Sequence, residues 1–420
     1  MYKSIKGTKD ILPSETTRWQ FVEQTIRSVF HRFNYKEIRV PIFEQTSLFS
    51  RSIGELTDIV GKEMYTFQDR SSDSITLRPE GTASVIRAFI QNNLGEAQPL
   101  VKVYYMGPMF RQERPQAGRL RQFHQFGAEA IGSSTPETDA EIIAMLIEVY
   151  RELGITNYTL KINSVGDEEC RPRYKEILRN ELNKIADKLS PESQKRIDQN
   201  PMRVLDSKDE NDLALTATMP LITEHLNEAC ALHFEKVKSL LTAFDIPFIV
   251  DGRLVRGLDY YTKTAFEVSS TELGSQDALA GGGRYDLLVQ ELGGKPTPGI
   301  GFAGGMERLM MVLEKKNFQS PEIFPTLFIS AADENSRTWV LKTAMHLRAN
   351  GIAVEVDLMN RSLKAQMREA DRQKVKYALV IGEHEIQTGK ALLIRRGEST
   401  RTQQEIDLTQ LDSLQKLLES

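Results

Sequence analysis

Residues 110–131 read FRQERPQAGRLRQFHQFGAEAI, and this stretch carries the clearest indication of the fold. Its last ten residues favour a β-strand, in which side chains on one face recur every two residues. One face then carries Phe123, Gln125, Gly127 and Glu129. An amide and a carboxylate beside a glycine and an aromatic ring are not typical of core packing. We therefore predict that this strand forms the base of a polar site.

The first half of the same stretch is rich in arginine. Four arginines surround a proline and a glycine: Arg111, Arg114, Arg119 and Arg121. A guanidinium can bind phosphate in a bidentate manner, so this composition suits phosphate recognition. A solvated hairpin with surface arginines would have the same composition, and the stretch alone does not decide between the two.

Three further segments contain residues that could belong to a site. VRGLDYYTKTAF at 255–266 places Arg256, Asp259, Tyr260 and Tyr261 beside a glycine. A tyrosine supplies an aromatic wall that ends in a hydroxyl group. An ordinary amphipathic strand would also fit this segment.

The other two segments are rich in glycine. GGGRYD at 281–286 permits a close approach of the backbone to a ligand, or a tight turn. GIGFAGGMERL at 299–309 indicates a strand, then glycines, then a helix bearing Arg308. Glycines at a helix entrance beside an arginine can form an anion site, although Arg308 could equally pair with a neighbouring acid.

Composition limits the classes of protein to which the chain can belong. The chain has 420 residues, of which 40% are hydrophobic and 27% charged, so a folded protein of more than one domain is expected. A net charge of -4 excludes a histone-like polycation, and contact with nucleic acid must come from local basic patches. No apolar run approaches the length of a membrane span, and no signal peptide is evident.

The cysteine and histidine pattern argues against a metal held by the protein. Cys170 and Cys230 lack CxxC spacing, which makes a disulfide framework and a cysteine-rich zinc site unexpected. His225 and His233 flank Cys230, but in a helical region this spacing favours packing. Free thiols suit a reducing compartment, and we expect a cytoplasmic protein.

The chain is predicted to contain two domains. Helical periodicity at 15–33, followed by short strands that meet through hairpins, favours an α+β fold with helices on an antiparallel sheet. Residues 170–250 are expected to form a mostly helical insertion. After a linker at 318–325, strand and helix patterns alternate over 326–381 and predict a separate α/β domain with a parallel sheet.

One helix of the second domain, near 362–376, has a basic face. The basic face carries Lys364, Arg368, Arg372 and Lys376, and the apolar face carries Leu363, Met367 and Ala370. We expect the apolar face to pack on the sheet. The basic face could simply be solvated, or it could contact phosphates of a nucleic acid.

The combined motifs resemble those of the class II aminoacyl-tRNA synthetases, and within that class the histidyl-tRNA synthetases. The resemblance covers essentially the whole chain. It rests on KGTKDILP at 6–13, the region of Pro41, RPEGT at 78–82, and residues 110–129 and 299–309. VRGLDYYT at 255–262 and GGGRYD at 281–286 are the segments that indicate histidine as the amino acid.

The resemblance implies an architecture and a reaction. It implies a six-stranded antiparallel catalytic sheet in residues 1–325, with the helical insertion, and an anticodon-binding domain in residues 326–420. It also implies a homodimer. Histidine and ATP, with Mg²⁺ carried by the ATP, would form histidyl-adenylate and pyrophosphate, and the histidyl group would then pass to the 3′ end of its tRNA.

The resemblance also implies roles for individual residues. Arg111 and Arg256 would be the catalytic cations. ATP would be bound by Arg111, Glu113, Arg121, Phe123 and Arg308. Histidine would be bound by Glu80, Gly81, Thr82, Arg111, Gln125, Glu129, Arg256, Tyr260, Tyr261 and Tyr285. The tRNA would be contacted by Arg114, Gln116, Lys364, Arg368 and Arg372.

Two other functions would suit a synthetase-like core. One is a non-catalytic regulatory subunit of ATP phosphoribosyltransferase, which resembles the core but lacks the C-terminal domain and departs from the VRGLDYYT segment. The other is a class II synthetase for a different amino acid. Glu129, Arg256 and Tyr261 follow the histidine-type pattern and argue against this second alternative.

Overall fold

The computed structural model describes residues 2–53, 59–116, 118–207, 209–256, 260–273, 277–318, 321, 324–396 and 401–419. Parts of three predicted features lie outside these residues: Ala117 of the arginine-rich loop, Asp259 of the 255–266 segment, and residues 319–320 and 322–323 of the linker. The chain divides into two compact units, residues 1–320 (unit 1) and 321–420 (unit 2). The predicted boundary at residue 325 lies close to this division.

Unit 1 combines helices with short and long strands. Its helices are α1 (Pro13–Arg32), α2 (Thr46–Ile53), α3 (Thr82–Gln91), α4 (Leu94–Ala97), α5 (Pro136–Glu152), α6 (Cys170–Asn183), α7 (Pro191–Gln199), α8 (Met202–Leu205), α9 (Glu210–Leu215), α10 (Glu228–Ala243), α11 (Leu288–Glu291) and α12 (Met306–Lys315). Its strands are β1 (Lys36–Glu37), β2 (Phe43–Gln45), β3 (Tyr65–Gln68), β4 (Ser74–Leu77), β5 (Val101–Phe110), β6 (Gln122–Ile131), β7 (Thr159–Ser164), β8 (Ile249–Val250), β9 (Thr262–Ser269), β10 (Ala278–Arg284) and β11 (Gly299–Gly305).

The main sheet of unit 1, as far as the chain is described, has eight strands in the order β1-β5-β6-β11-β10-β9-β7-β8. The strands from β5 to β7 in this order pair antiparallel, whereas β1 and β8 pair in parallel at the two edges. The predicted antiparallel sheet with flanking helices is therefore confirmed. The two parallel edge strands extend the six-stranded sheet that the resemblance implies.

Helices cover both faces of this sheet because its side chains alternate between two cores. One core joins α1, α5, α10 and α12 to one face, where Tyr104 and Phe126 are buried. The other core joins α3 and helices α6 to α8 to the opposite face, where Val103 and Tyr105 are buried. In α1, Val22, Ile26 and Val29 recur at helical spacing and are fully buried, as the sequence pattern predicts.

Residues 170–250 are mostly helical, as predicted, and their helices share hydrophobic cores with the rest of unit 1. Helices α6 to α8 share a core with Tyr260 and Tyr261. Helix α10 packs into the core that contains α5, and β8 pairs with β7 in the main sheet. The segment therefore contributes directly to the structure of unit 1 rather than being appended to it.

A small second sheet of unit 1 has an unusual distribution of polarity. Within the described residues it contains three strands in the order β2-β4-β3. Its inner face carries Thr76, which is fully buried and hydrogen-bonds the hydroxyls of Thr46 and Thr66. Its other face carries Phe43 and Phe67, which are 56% and 48% exposed.

Unit 2 is an α/β domain with a mixed sheet. Its strands are β12 (Leu327–Ala331), β13 (Val354–Val356), β14 (Tyr377–Ile381), β15 (Lys390–Arg396) and β16 (Arg401–Asp407), and its helices are α13 (Ser336–Ala349), α14 (Leu363–Arg372), α15 (Glu383–Thr388) and α16 (Leu411–Glu419). Strands β13, β12 and β14 are parallel, but β15 and β16 extend the sheet antiparallel. The predicted parallel pairing within 326–381 is confirmed, and β15 and β16, which lie beyond the predicted strands, make the sheet mixed. None of the described helices in either unit has both the length and the apolar character needed to cross a membrane.

Candidate active site

A cleft in unit 1 brings together segments that are far apart in the sequence. The predicted ATP and histidine residues that line it are Glu80, Thr82, Arg111, Glu113, Phe123, Gln125, Arg256, Tyr260, Tyr261 and Arg308. Phe123 and Gln125 point from β6, and Arg308 comes from the first turn of α12. Gly81, Arg121, Glu129 and Tyr285 do not line the cleft.

The glycines of GGGRYD lie in a central strand rather than in a turn. Residues Gly281, Gly282 and Gly283 belong to β10 and pair with β9 and β11 on both sides. A Cβ built on Gly281 would overlap the Arg256 guanidinium. The alternative of a tight turn is therefore wrong for these glycines. At Gly281 the missing side chain makes room for an arginine from another segment, and the approach of a ligand to this backbone stays a prediction.

Within the described part of the chain, four arginines line the cleft: Arg111, Arg119, Arg256 and Arg308. The Arg111 guanidinium stacks over Phe123 at 5.2 Å from the ring centre, and its Nε donates to the Pro79 carbonyl at 3.0 Å. Arg308 donates to two backbone carbonyl oxygens, of Gly118 at 3.1 Å and Ala278 at 2.7 Å. Burial, together with repulsion from nearby arginines, holds the pKa of Arg308 below its ordinary value. A bound polyanion would relieve that repulsion.

Carboxylates that line the cleft are already engaged. Glu113 lies between Arg119 at 3.4 Å and Arg111 at 3.8 Å. Glu80 accepts the backbone N–H groups of Thr82 at 2.7 Å and Ala83 at 2.9 Å, so it caps the start of α3. Burial raises the pKa of Glu80, and these two hydrogen bonds oppose that rise.

Glu129 lies behind the cleft lining and is fully buried. Its two oxygens accept hydrogen bonds from the Thr82 hydroxyl at 2.7 Å and the Tyr285 hydroxyl at 2.5 Å. Burial raises the pKa of Glu129 to about 8, although both hydrogen bonds act to lower it. A Cβ on Gly301 of the neighbouring strand would overlap the carboxylate, so this glycine is needed to accommodate it. In this structure Glu129 therefore acts on the cleft through Thr82, which does line it.

Three buried polar atoms of residues that line the cleft have no hydrogen-bond partner among the described residues. They are Oε2 of Glu113, which has only the ion pair with Arg119, Oε1 of Gln125 and Nε of Arg256. Buried polar atoms are nearly always satisfied, and a ligand can supply the missing partner. Gln125 offers an acceptor and Arg256 a donor, so a ligand with a cationic amine and an anionic group would satisfy both.

The structure separates Arg121 from its predicted role. Its Nε donates to the backbone oxygen of Glu113 at 3.4 Å, and its side chain packs against Gly7. The side chain therefore stabilises the base of the arginine-rich loop and does not reach the cleft. Arg119, in contrast, lines the cleft.

The predicted tRNA residues divide into accessible and engaged groups. Arg114 and Gln116 are exposed at the tip of the loop, where Gln116 and Arg119 pair through their backbones. On α14, Lys364 and Arg368 are exposed.

Arg372, in contrast, pairs with Glu369 at 2.5 Å. Hydrogen bonds from Arg372 and Gln373 hold the pKa of Glu369 at about 2. Lys376 lies beyond the end of the helix, which is Arg372. Arg372 is nevertheless 77% exposed and Lys376 is exposed as well, so all four predicted basic residues lie at the surface.

The packing of α14 also differs from the prediction. Its buried side chains are Gln366, Glu369 and Ala370, whereas Leu363 and Met367 are only partly buried. Gln366 hydrogen-bonds the backbone N–H and C=O of Ala331 at the end of β12. A buried amide thus adds to the apolar contact expected there, which Ala370 makes with Phe328 of β12.

Sequence analysis missed two carboxylates at the cleft. Glu307 lines it and accepts the backbone N–H and the Nδ1 of His124, each at 2.9 Å. Glu267 on β9 forms an ion pair with Arg256. The available signal for Glu267 was a lone charge within the otherwise apolar run AFEV at 265–268.

A buried charged cluster supports the GGGRYD strand from behind. Arg284 is fully buried and pairs with Asp139 of α5, and Asp139 also hydrogen-bonds His233 at 2.8 Å. His233 thus packs in an ion-pair network, and His225 stacks against Tyr174. Both histidines fit the packing interpretation.

One cluster among the described residues could hold a metal ion by type and proximity. Asp167, Cys170 and Cys230 place possible ligand atoms within 4.8 Å of one another. Asp167 already accepts the backbone N–H groups of Glu169 and Cys170 and the Asn227 amide. These contacts describe a cap that joins the first turns of α6 and α10.

Comparisons with known proteins agree with this arrangement. Residues 7–309 match the family described as histidyl-tRNA synthetase, and residues 327–416 match the anticodon binding domain. A histidine–tRNA ligase of Chloroherpeton thalassium is 50% identical over 99% of this chain and 97% of its own, and one of Halothermothrix orenii is 48% identical over 99% of each. The crystal structure of apo S. aureus histidyl-tRNA synthetase covers 100% of both chains with a TM-score of 0.84 at 38% identity. The chain therefore belongs to the histidyl-tRNA synthetase family and is a histidine–tRNA ligase with a C-terminal anticodon-binding domain.

Proposed function

We propose that the cleft of unit 1 binds histidine and ATP side by side and joins them as histidyl-adenylate. The observation that carries this proposal is the convergence of Arg111, Arg256 and Arg308 on one cleft that is also lined by Gln125, whose buried Oε1 has no partner among the described residues. Attack of the histidine carboxylate on the α-phosphate increases negative charge on the phosphate oxygens. Fixed cations stabilise that charge more strongly in the transition state than in the ground state.

The three arginines are assigned to two different phosphates of ATP. Arg111 and Arg256 contact the α-phosphate, and Arg308 holds the γ-phosphate. Phe123 stacks on the adenine ring. The Arg111 guanidinium lies over the Phe123 ring and helps to hold that ring in position. Glu113 accepts a hydrogen bond from the exocyclic amine of adenine and also forms ion pairs with Arg119 and Arg111.

Magnesium enters with ATP as part of the substrate. The donor set supports this assignment, because the cleft carboxylates are occupied: Glu80 by backbone N–H groups, Glu113 by arginines and Glu307 by His124. The triphosphate itself would hold the ion.

Histidine is selected by a hydrogen-bonding pocket rather than by shape alone. Gln125, Glu80 and Thr82 receive the cationic α-amino group. Tyr261 and the buried Glu129 complete the environment of the imidazole, with Tyr285 and Thr82 fixing the carboxylate. A pocket that hydrogen-bonds a polar side chain strongly rejects analogues lacking those groups, because its own buried groups would then stay unpaired.

The second step requires tRNA at two places. Arg114 and Gln116, at the tip of the loop beside the cleft, approach the acceptor end. Lys364 and Arg368 on α14 of unit 2 contact the tRNA backbone near the anticodon. Their exposure supports both assignments.

The active protein is proposed to be a homodimer that works in the cytoplasm. The exposed face of the β2-β4-β3 sheet supports the dimer, since Phe43, Phe67 and the neighbouring Ile42 place three large apolar side chains at the surface of one small sheet. The free, buried thiols Cys170 and Cys230 suit a reducing compartment. Phe43→Asp should convert the dimer to a monomer in sedimentation experiments, and an unchanged mass would contradict this interface.

The decisive experiment for the amino-acid site is ATP–pyrophosphate exchange with each of the amino acids in turn. Only histidine should support exchange, and Arg256→Ala should abolish most of it. A regulatory subunit would bind histidine without exchange. Exchange supported better by another amino acid would contradict the proposed roles of Gln125 and Glu129.

A further inference from the structure

Glu267 lies directly opposite Gly281 in the pairing of β9 with β10. Its carboxylate forms an ion pair with NH1 of Arg256. Neither charged side chain is freely solvated, since the Arg256 side chain is 20% exposed and that of Glu267 is 24% exposed. The pair therefore lies at the edge of the cleft, where partial burial strengthens the attraction between opposite charges.

Gly281 determines where the guanidinium can lie. A Cβ at this position would overlap the guanidinium of Arg256, namely its Cζ and terminal nitrogens. The group thus lies against the bare backbone of β10 and reaches the carboxylate on the neighbouring strand. One nitrogen is bound to Glu267, while Nε has no partner among the described residues.

The two contacts restrain a long side chain in one orientation. An arginine side chain loses rotamer entropy when it is fixed. A site that has already fixed the side chain does not bear this cost during the reaction. Burial alone would lower the pKa of Arg256, but the Glu267 carboxylate, together with Tyr261 and Asp206, outweighs burial and keeps the pKa above its ordinary value.

We propose that Glu267 is a positioning residue: it holds the Arg256 guanidinium on the surface of Gly281, in the orientation that meets the α-phosphate. This inference rests on the proposed role of Arg256 in adenylate formation. Glu267 itself contacts neither substrate. The opposite reading is that Glu267 only neutralises Arg256, in which case its removal would increase the rate.

The test is a double-mutant cycle measured by single-turnover adenylate formation. Glu267→Gln keeps the size and one oxygen of the side chain but removes the charge. We expect a fall of about 10- to 100-fold in the rate of adenylate formation, the range associated with small misplacements of a catalytic group. The dissociation constant for histidine should change by less than about threefold, since the effect is on the transition state.

Coupling separates positioning from a general structural defect. The double variant Glu267→Gln with Arg256→Ala should be no slower than Arg256→Ala alone, because Glu267 acts only through the guanidinium. Gly281→Ala offers an independent route to the same displacement, since the clash is with the movable end of a side chain. Glu192→Gln, which removes an exposed carboxylate paired with Arg196, and Gly61→Ala, where a Cβ has open space, are matched controls expected to behave as wild type.

Each outcome bears on one claim. A slow Arg256→Ala with a wild-type or faster Glu267→Gln would overturn the positioning role and leave the proposed function intact. Additive losses in the double variant would also overturn it. An Arg256→Ala variant as fast as wild type would instead contradict the proposed function itself.

Discussion

Raising the pH from about 5 to about 9 should destabilise unit 1 through Glu129, and Glu129→Gln should remove much of that loss. The carboxyl is fully buried, and its pKa is raised from 4.5 to about 8 in the folded protein. Between these two pKa values the folded protein keeps a proton that the unfolded chain has released. The stabilising contribution of this proton is therefore complete below about pH 4.5 and is lost as the pH rises through about 8.

The magnitude follows from the separation of the two pKa values. One pKa unit corresponds to about 1.4 kcal/mol, so the full separation corresponds to about 5 kcal/mol in the free energy of unfolding. This is comparable to the whole stability of many domains, which is about 5–15 kcal/mol. The loss should thus be spread between about pH 4.5 and about pH 8, with little further loss through Glu129 at higher pH.

Urea unfolding followed by tryptophan fluorescence can measure this pH-dependent change in the free energy of unfolding. The chain has two tryptophans, Trp19 in unit 1 and Trp339 in unit 2, so a Trp339→Phe background makes the signal report on unit 1. Stability of the Glu129 protein should decline with pH across this window, and that of Glu129→Gln should stay nearly level. Parallel curves for the two proteins would refute the reasoning, and Glu192→Gln serves as the control that should retain the wild-type decline.

Three other expectations follow from the site. Glu129→Gln should weaken histidine binding by about tenfold or more and leave ATP affinity nearly unchanged, as titrations of each ligand would show; an equal ATP defect would contradict the assignment. Gln116→Ala should slow tRNA charging while sparing pyrophosphate exchange, which needs no tRNA, and an equal fall in both would place the loop in the ATP site. Charge reversal at Lys364 and Arg368 should raise the Michaelis constant for tRNA but not that for histidine, and it should reduce the salt dependence by about one unit of slope per lost phosphate contact. Arg372→Glu should have a smaller effect, because Arg372 is paired with Glu369.

Local patterns were sufficient for much of the fold. The alternation in 122–131 predicts β6 with its observed bounds, and the apolar spacing in α1 predicts its buried residues. Strand β16, in contrast, has the sequence RTQQEID, in which apolar and polar residues hardly alternate. Its place in the sheet depends on pairing with β15, which the local sequence does not reveal.

The site was predictable where chemistry follows residue type, and less so where it depends on contacts between distant segments. The arginines and aromatic residues of the cleft could be named from their motifs. The glycines of β10 were as consistent with a turn as with a close approach. The reason for a glycine at position 281 is the Arg256 guanidinium, which lies there only in the folded chain. The pairing of Arg256 with Glu267, and the burial of Glu129 behind Thr82, likewise exist only once the strands are assembled.

The central claim is that Arg256 stabilises charge on the α-phosphate during adenylate formation. The most direct test is the single-turnover rate of histidyl-adenylate formation by Arg256→Ala, measured beside the dissociation constant for histidine. The rate should fall by about 100- to 1000-fold, as for the loss of one group that stabilises a transition-state charge, while histidine binding weakens far less. Equal losses in rate and in binding would show that Arg256 only holds the ground state, and they would contradict the account.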